Sequence, residues 1–224
     1  MTTEPDPSTD VDPEGVSQEL IDRVVHGDRS ALAELFSIYR PRLWRMVNFR
    51  LHGSLQGRID PDDVLQDAYL SAVDRIGHFL SAATSSPFIW FRMIVNQTLI
   101  ELHRKHIGAE KRSANRERSI NSGPAVDSTS SSLAFHLMAQ LPSPSSAVQK
   151  IELARQLEVA LQGMNDIDRE VLTLRHFEEL SNSETARVLG MSEQAASARY
   201  VRALKRLKQI LELIPDLAAN VRPS

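Results

Sequence analysis

Apolar residues recur three and four positions apart over much of residues 17–111 and again from 146 to 213, the period of helices that bury one face. The strict alternation of a half-buried strand is nearly absent. The pattern predicts an all-α protein: two small helical domains joined by a flexible linker, the second ending in a helix-turn-helix. In the first block, residues 17–111, one helix spans about 17–26 and stops at Gly27-Asp28. A second runs from Ser30 to about Leu51, with a kink expected at Pro41. A third opens at Asp60-Pro61, a cap followed by proline at the first helical position. A fourth opens the same way at Ser86-Pro87 and continues to about His106. Residues 1–16 carry acids and prolines with little to bury and are expected to form a disordered acidic tail. Residues 112–145 are rich in Ser, Asn, Pro and Gly and read as the flexible linker, with room for a short helix around Leu133–Gln140. The second block, 146–213, accommodates four helices, and 214–224 is a C-terminal tail.

The helix-turn-helix carries most of the local signal. Ser181 and Glu184 have the spacing of a capping box, in which each side chain satisfies the other residue's backbone N–H. Ala186 is small enough for two helices to cross closely. Gly190 stands where a turn with positive φ is needed, and Ser192 caps the last helix. In that helix Ala196, Tyr200, Leu204, Leu207 and Leu211 mark the buried side. Gln194, Ala195, Ser197, Arg199, Arg202, Lys205, Arg206 and Lys208 lie outside this stripe. Such a helix suits a DNA major groove, with its N-terminal end on base edges and its later cations on phosphates. A three-helix core with a solvated basic face has the same periodicity.

Composition narrows the classes. The chain has 224 residues, 42% of them apolar and 5% aromatic, which favours helix over sheet. With no cysteine, disulfides, thiolate nucleophiles and Cys-zinc sites are excluded, and a reducing, cytoplasmic setting is compatible. No uncharged apolar run approaches a membrane span, and the N-terminus lacks the basic start of a signal peptide. Net charge is −3, but its distribution is uneven. Residues 1–20 carry six acids and no Lys or Arg, residues 103–118 six Lys or Arg against two Glu, and residues 193–208 five against one. Separate basic patches on an acidic chain fit a protein that touches DNA at chosen places.

Two further helices hold candidate chemistry. The third places Val64, Leu65, Ala68, Ala72, Val73 and Ile76 on one side, with Asp62, Asp63, Gln66, Asp67, Ser71 and Asp74 around the other. The polar side is either a solvated surface or a docking surface for a basic partner. The fourth begins Phe88-Ile89-Trp90-Phe91 and ends His103-Arg104-Lys105-His106. Its apolar start is mostly core. Asn96 could hydrogen-bond a base edge, and aromatic rings beside cations suit unstacked DNA. His103 and His106 lack a supporting carboxylate pair for a metal. No Gly-rich phosphate loop and no Ser/His/Asp arrangement is present, so neither enzyme nor cofactor is expected.

In this order the pieces resemble a bacterial sigma factor of the extracytoplasmic-function class, a compact branch of the sigma-70 family. The resemblance covers most of residues 17–212. Residues 32–51 resemble the start of that family's first domain. Asp63-Val64-Leu65-Gln66-Asp67-Ala68-Tyr69 resembles its polymerase-docking helix, Asp-x-x-Gln-Glu-x-Phe, with Asp67 and Tyr69 keeping charge and ring. Phe88 to Asn96 resembles Trp-Leu-x-x-Ile-Ala-x-Asn, with Trp90 and Asn96 matching and Phe91 in place of Leu. Arg104 and Lys105 match the basic end of that helix. Leu161 to Phe177 resembles Leu-Pro-x-x-x-Arg-x-x-Leu-x-Leu-Arg; Met164-Asn165 replaces Leu-Pro, while Arg169, Leu172, Leu174 and Arg175 match. The recognition helix matches in layout, with Ser197 where many members carry Lys.

The resemblance implies that Asp63, Gln66 and Asp67 meet core RNA polymerase. It further implies that Trp90, Asn96, Arg104 and Lys105 act at a melted −10 element, with Asn96 at the pocket for a flipped base. Gln194, Ala195, Ser197, Arg199, Arg202, Lys205 and Arg206 would face a −35 duplex. An anti-sigma partner is common in the class, though no residue here reports one. The two DNA elements lie roughly 70 Å apart, and residues 112–145 can extend to roughly 110 Å. The alternative is a free-standing helix-turn-helix repressor or activator, which leaves the Asp63/Gln66 face and the Trp90/Asn96 cluster without a task. A helical interaction scaffold is a third reading.

Overall fold

The computed structural model describes residues 15–51, 59–79, 86–113, 126–139 and 147–214. The tail at 1–14, the stretches at 114–125 and 140–146, and the segment 215–224 lie outside the described residues. Among the described residues the protein is all-helical, with α1 Gln18–Val25, α2 Arg29–Arg50, α3 Pro61–Asp74, α4 Pro87–Ser113, α5 Val126–Ala139, α6 Ala147–Gln162, α7 Asp166–Leu172, α8 Asn182–Leu189 and α9 Glu193–Leu213. A short 3-10 turn follows α3 at Ile76–His78, and a turn of π-helix, Thr173–Phe177, follows α7.

Local chemistry sets these boundaries. Asp28 caps α2 by accepting from the N–H groups of Ser30 and Ala31. Asp60 caps α3 just before Pro61, and Asn165 caps α7. Each cap satisfies a donor that the first helical turn leaves open. Pro41 sits inside α2, which runs on as one helix. α4 continues to Ser113, past the expected end near His106.

The α1–α4 block closes around an aromatic core. Phe36 meets Tyr69 and Phe91, each with ring centroids 5.2 Å apart, and Tyr39 lies 5.7 Å from Phe88. Val64, Leu65, Ala68 and Ala72 of α3 face this core, and Val73 and Ile76 are partly buried against it. Each large ring removed from water contributes about 2–3 kcal/mol, so the core fixes which side of α3 is left outside.

The second block packs α6, α7 and α9 around Leu157, Leu161, Met164, Leu172, Ala203 and Ile210. α9 corrects the expected stripe: Ala196, Ala203 and Ile210 are buried, Tyr200, Leu207 and Leu211 are partly so, and Leu204 is 39% exposed. Two small alanines on the inner ridge let α9 approach its neighbours closely, and that rotates Leu204 outward. Arg169, 2% exposed, closes this block. Its guanidinium donates to the carbonyls of Leu161 (3.0 Å), Gln162 (3.1 Å) and Met164, and pairs with Asp166. It thus satisfies the open carbonyls at the end of α6.

α5 lies within the stretch read as linker and is longer than the short helix expected there. Ser130, Ser132, Leu133, Ala134 and Met138 are buried. Its Ser-rich sequence hides a packed face because serine is small enough to sit between helices, and Ser131 donates to Glu158 of α6. His136 stacks on Phe49 at the end of α2 at 4.8 Å, and Phe49 also meets Phe177 at 4.8 Å.

The two blocks are joined by charge as well as by these rings. Arg42 donates to both carboxylate oxygens of Glu184 at 2.9 Å. Glu178, 1% exposed, takes Arg50 Nε at 2.7 Å on one oxygen and Arg92 Nε at 2.8 Å on the other. Glu170 pairs with Arg50 and lies 3.6 Å from Arg92. Arg45 pairs with Glu179 at 3.1 Å. Burial works against the charge on Glu178, yet Arg50 and Arg92 hold its carboxyl below the ordinary value. Burial likewise works against Arg50, and Glu178 and Glu170 outweigh it and raise its pKa.

Candidate nucleic-acid interface and acidic docking face

α3 presents its polar side to solvent. Asp62, Asp63, Gln66, Asp67 and Asp74 are exposed, and the helix is held the right way round by Val64, Leu65 and Ala68 beneath it. Arg40 of α2 pairs with Asp62 at 2.8 Å, which leaves Asp63, Gln66 and Asp67 beyond that pair. Positions 63, 66, 67, 70 and 74 share one helical face. Leu70 is therefore at its centre, and it is 54% exposed. Leu70 is hard to single out in the sequence because apolar residues on both sides of a helix blur the stripe; its spacing from Asp63, Gln66 and Asp67 is the available signal. An exposed leucine ringed by acids has the layout of a docking patch: an apolar anchor within a polar, steering rim.

α4 sorts its candidates differently. Trp90 is 3% exposed, with its ring 5.0 Å from both Phe79 and Phe91 in edge-on contacts. In this arrangement Trp90 is core and positions the helix, in keeping with the mostly buried start expected for α4. Asn96 is half-buried, one and a half turns further along, at the border between core and solvent. Next to it Gln97 accepts a hydrogen bond from Arg75 at the end of α3. Arg104 and Lys105 are exposed on the same helix. The structure thus keeps Asn96, Arg104 and Lys105 at the surface of α4 and withdraws Trp90 from it. His103 is half-buried, and the side chain of His106 lies outside the described residues.

The helix-turn-helix forms as its sequence implies. Ser181 and Glu184 make the reciprocal capping box, with Ser181 N–H donating to Glu184 at 2.8 Å and Glu184 N–H to Ser181 Oγ at 3.1 Å. Gly190 ends α8 in the left-handed region at φ 63°, where a β-carbon is disfavoured. Ser192 caps α9. Asn182 donates to the Glu193 carbonyl at 2.9 Å and ties the first helix to the start of the second.

On α9, Gln194, Ala195, Ser197, Arg202, Lys205 and Arg206 are exposed, together with Ala198 and Val201 between them. Arg199 is only partly exposed, because Asp168 of α7 accepts from its guanidinium at 2.9 Å. The first turns of α9 therefore offer one amide, one hydroxyl and small apolar side chains to a groove, with cations following along the helix. That order places short side chains where bases lie and long cationic ones where phosphates lie.

Among the described residues no helix is long and apolar enough to cross a membrane. Residues 154–207 match the family model described as sigma-70, region 4, which covers α9 to Leu207, α8, α7 and part of α6. The ECF RNA polymerase sigma factor BldN of Streptomyces coelicolor is 24% identical over 193 residues, 86% of this chain and 65% of that protein. The chain thus spans just under two thirds of the length of that relative. The RNA polymerase sigma-H factor of Pseudomonas aeruginosa is 24% identical over 200 residues, 87% of this chain and 93% of that protein. The ECF RNA polymerase sigma factor SigM of Mycobacterium tuberculosis is 28% identical over 206 residues, 91% of this chain and 88% of that protein. The region 4 match thus falls on the helix-turn-helix, and the similarity to these sigma factors runs along most of the chain.

Proposed function

We propose that the chain binds core RNA polymerase through α3 and directs it to promoters, reading a −35 duplex with α9 and holding the opened −10 strand along α4. The observation that carries this reading is the exposed face of α3, Asp63-Gln66-Asp67 around Leu70, in the same chain as a solvent-facing recognition helix. A repressor needs only the second of these.

Asp63 and Asp67 supply charge for a basic surface, Gln66 a directional hydrogen bond and Leu70 an area to desolvate. On α9, Gln194 is placed for a base edge, with Ala195, Ser197 and Arg199 beside it, while Arg202, Lys205 and Arg206 neutralise phosphates. On α4, Asn96 lies where an unstacked base is to be received, and Arg104 and Lys105 follow the backbone. Unstacking costs a few kcal/mol per base, which the small exposed surface of α4 offsets only when polymerase holds the rest of the DNA.

Sigma-free core polymerase supplied with this chain and a genomic promoter library should yield transcripts whose start sites share two upstream elements about two helical turns apart. Transcripts without any shared element, or none at all, contradict the reading.

A further inference from the structure

The ridge of α9 that points away from the core carries apolar side chains where a duplex is to be met. Ala196, Ala203 and Ile210 form the buried ridge. Opposite them run Gln194, Ala198, Val201 and Lys205, spaced four, three and four residues apart and so stacked one above another. All four are exposed, and Val201 is 48% exposed. The polar neighbours are turned elsewhere. Arg199 is given to Asp168 at 2.9 Å, and the Tyr200 ring lies half-buried under Arg175, 5.4 Å from its guanidinium carbon. Between Gln194 and Lys205 the ridge itself therefore offers methyl groups alone, one from Ala198 and two from Val201.

A single exposed apolar residue on a helix is ordinary. Helix propensity does not call for this one, since valine is a poorer helix former than the charged residues around it. Its place on the ridge framed by Gln194 and Lys205 gives it a partner instead. In a major groove the one apolar group that a base edge presents is the C5-methyl of thymine, and small apolar side chains pack against it. Ala198 and Val201 stand about 4.5 Å apart along the helix axis, close to the spacing of about 3.4 Å between stacked bases. They can therefore meet neighbouring base pairs.

We propose that Ala198 and Val201 are specificity-determining residues of α9, each packing against a thymine methyl of the −35 duplex beside the base pair met by Gln194. The inference rests on the promoter-recognition reading above and names the bases that the helix selects. Taking one methyl out of water strengthens binding about fourfold. The contact is uncharged, so that factor holds at low and high salt alike, whereas the phosphate contacts of Arg202, Lys205 and Arg206 weaken as salt rises.

The test uses the full chain bound to core polymerase. A duplex library randomised upstream of the start site first yields the shared −35 element. Each thymine in that element is then replaced singly by deoxyuridine, which pairs with adenine as thymine does and lacks only the methyl. Two positions should lose binding about fourfold each. Val201→Asn should abolish the difference between thymine and deoxyuridine at one of them, and Ala198→Gly at the other. Both sites are exposed, so the variants should fold, which thermal unfolding checks. A −35 element that is indifferent to deoxyuridine at every position, or a methyl effect that survives in both variants, would overturn the assignment and leave promoter recognition standing. No enriched element at all would overturn both.

Discussion

Leu70 and Arg169 show how differently single residues carry an account of this chain. Leu70 is exposed, so Leu70→Asp should leave folding stability within about 0.5 kcal/mol. If it anchors the polymerase contact, the same change should weaken core binding about tenfold or more, measured by competition against a labelled sigma factor. Unchanged affinity would remove Leu70 from the interface. In the sequence Arg169 is one matching position among several, and the structure gives it a structural task. Arg169→Leu should lower stability by about 2–4 kcal/mol, since it leaves buried carbonyls without donors; thermal unfolding measures this. Trp90 is ambiguous at this scale because an aromatic beside cations looks the same in sequence whether its ring turns in or out. The turn inward is decided by Phe79 and Phe91, which flank it on different elements.

Among elements, those with local causes were legible. Asp60, Asn165, Ser181 with Glu184, Gly190 and Ser192 all do what their positions imply, because caps and left-handed turns depend on a few neighbouring residues. The buried ridge of α9 was only partly legible, since Ala203 and Leu204 are adjacent and tertiary packing chose the smaller. α9 makes two separable predictions. Arg202→Ala should weaken binding to all duplexes alike and reduce the slope of log affinity against log salt by about 1. Gln194→Ala should instead change preference at one base pair, by about 1–3 kcal/mol. Selection from a randomised duplex library read with both variants checks the pair, and a uniform loss for Gln194→Ala would exclude it from base reading.

At the scale of the whole molecule the arrangement of the blocks had no local signal. Arg50 and Glu178 are 128 residues apart, and Arg42 and Glu184 142 apart, and nothing in either neighbourhood announces the pairing. Its electrostatics set a pH dependence. Glu178, faced by Arg50 and Arg92 and next to Glu170, has a carboxyl pKa held below its ordinary value. Its contribution to the packing of the two blocks is complete above the unfolded glutamate pKa of about 4.3 and is lost as pH falls through the lower folded value. Small-angle scattering should therefore show a compact chain from pH 7 down to about 5 and expansion only at pH below the ordinary glutamate range. Expansion already at pH 6 would require another group.

The central claim is that α3 delivers a promoter-reading chain to RNA polymerase. The most direct measurement is in vitro transcription from sigma-free core polymerase with the parent chain and with Asp63→Arg/Gln66→Ala. Both positions are exposed, so the variant should remain folded. The account requires specific transcripts from the parent and their loss with the variant, while both proteins show the same thermal unfolding. Equal transcripts from the two would contradict it.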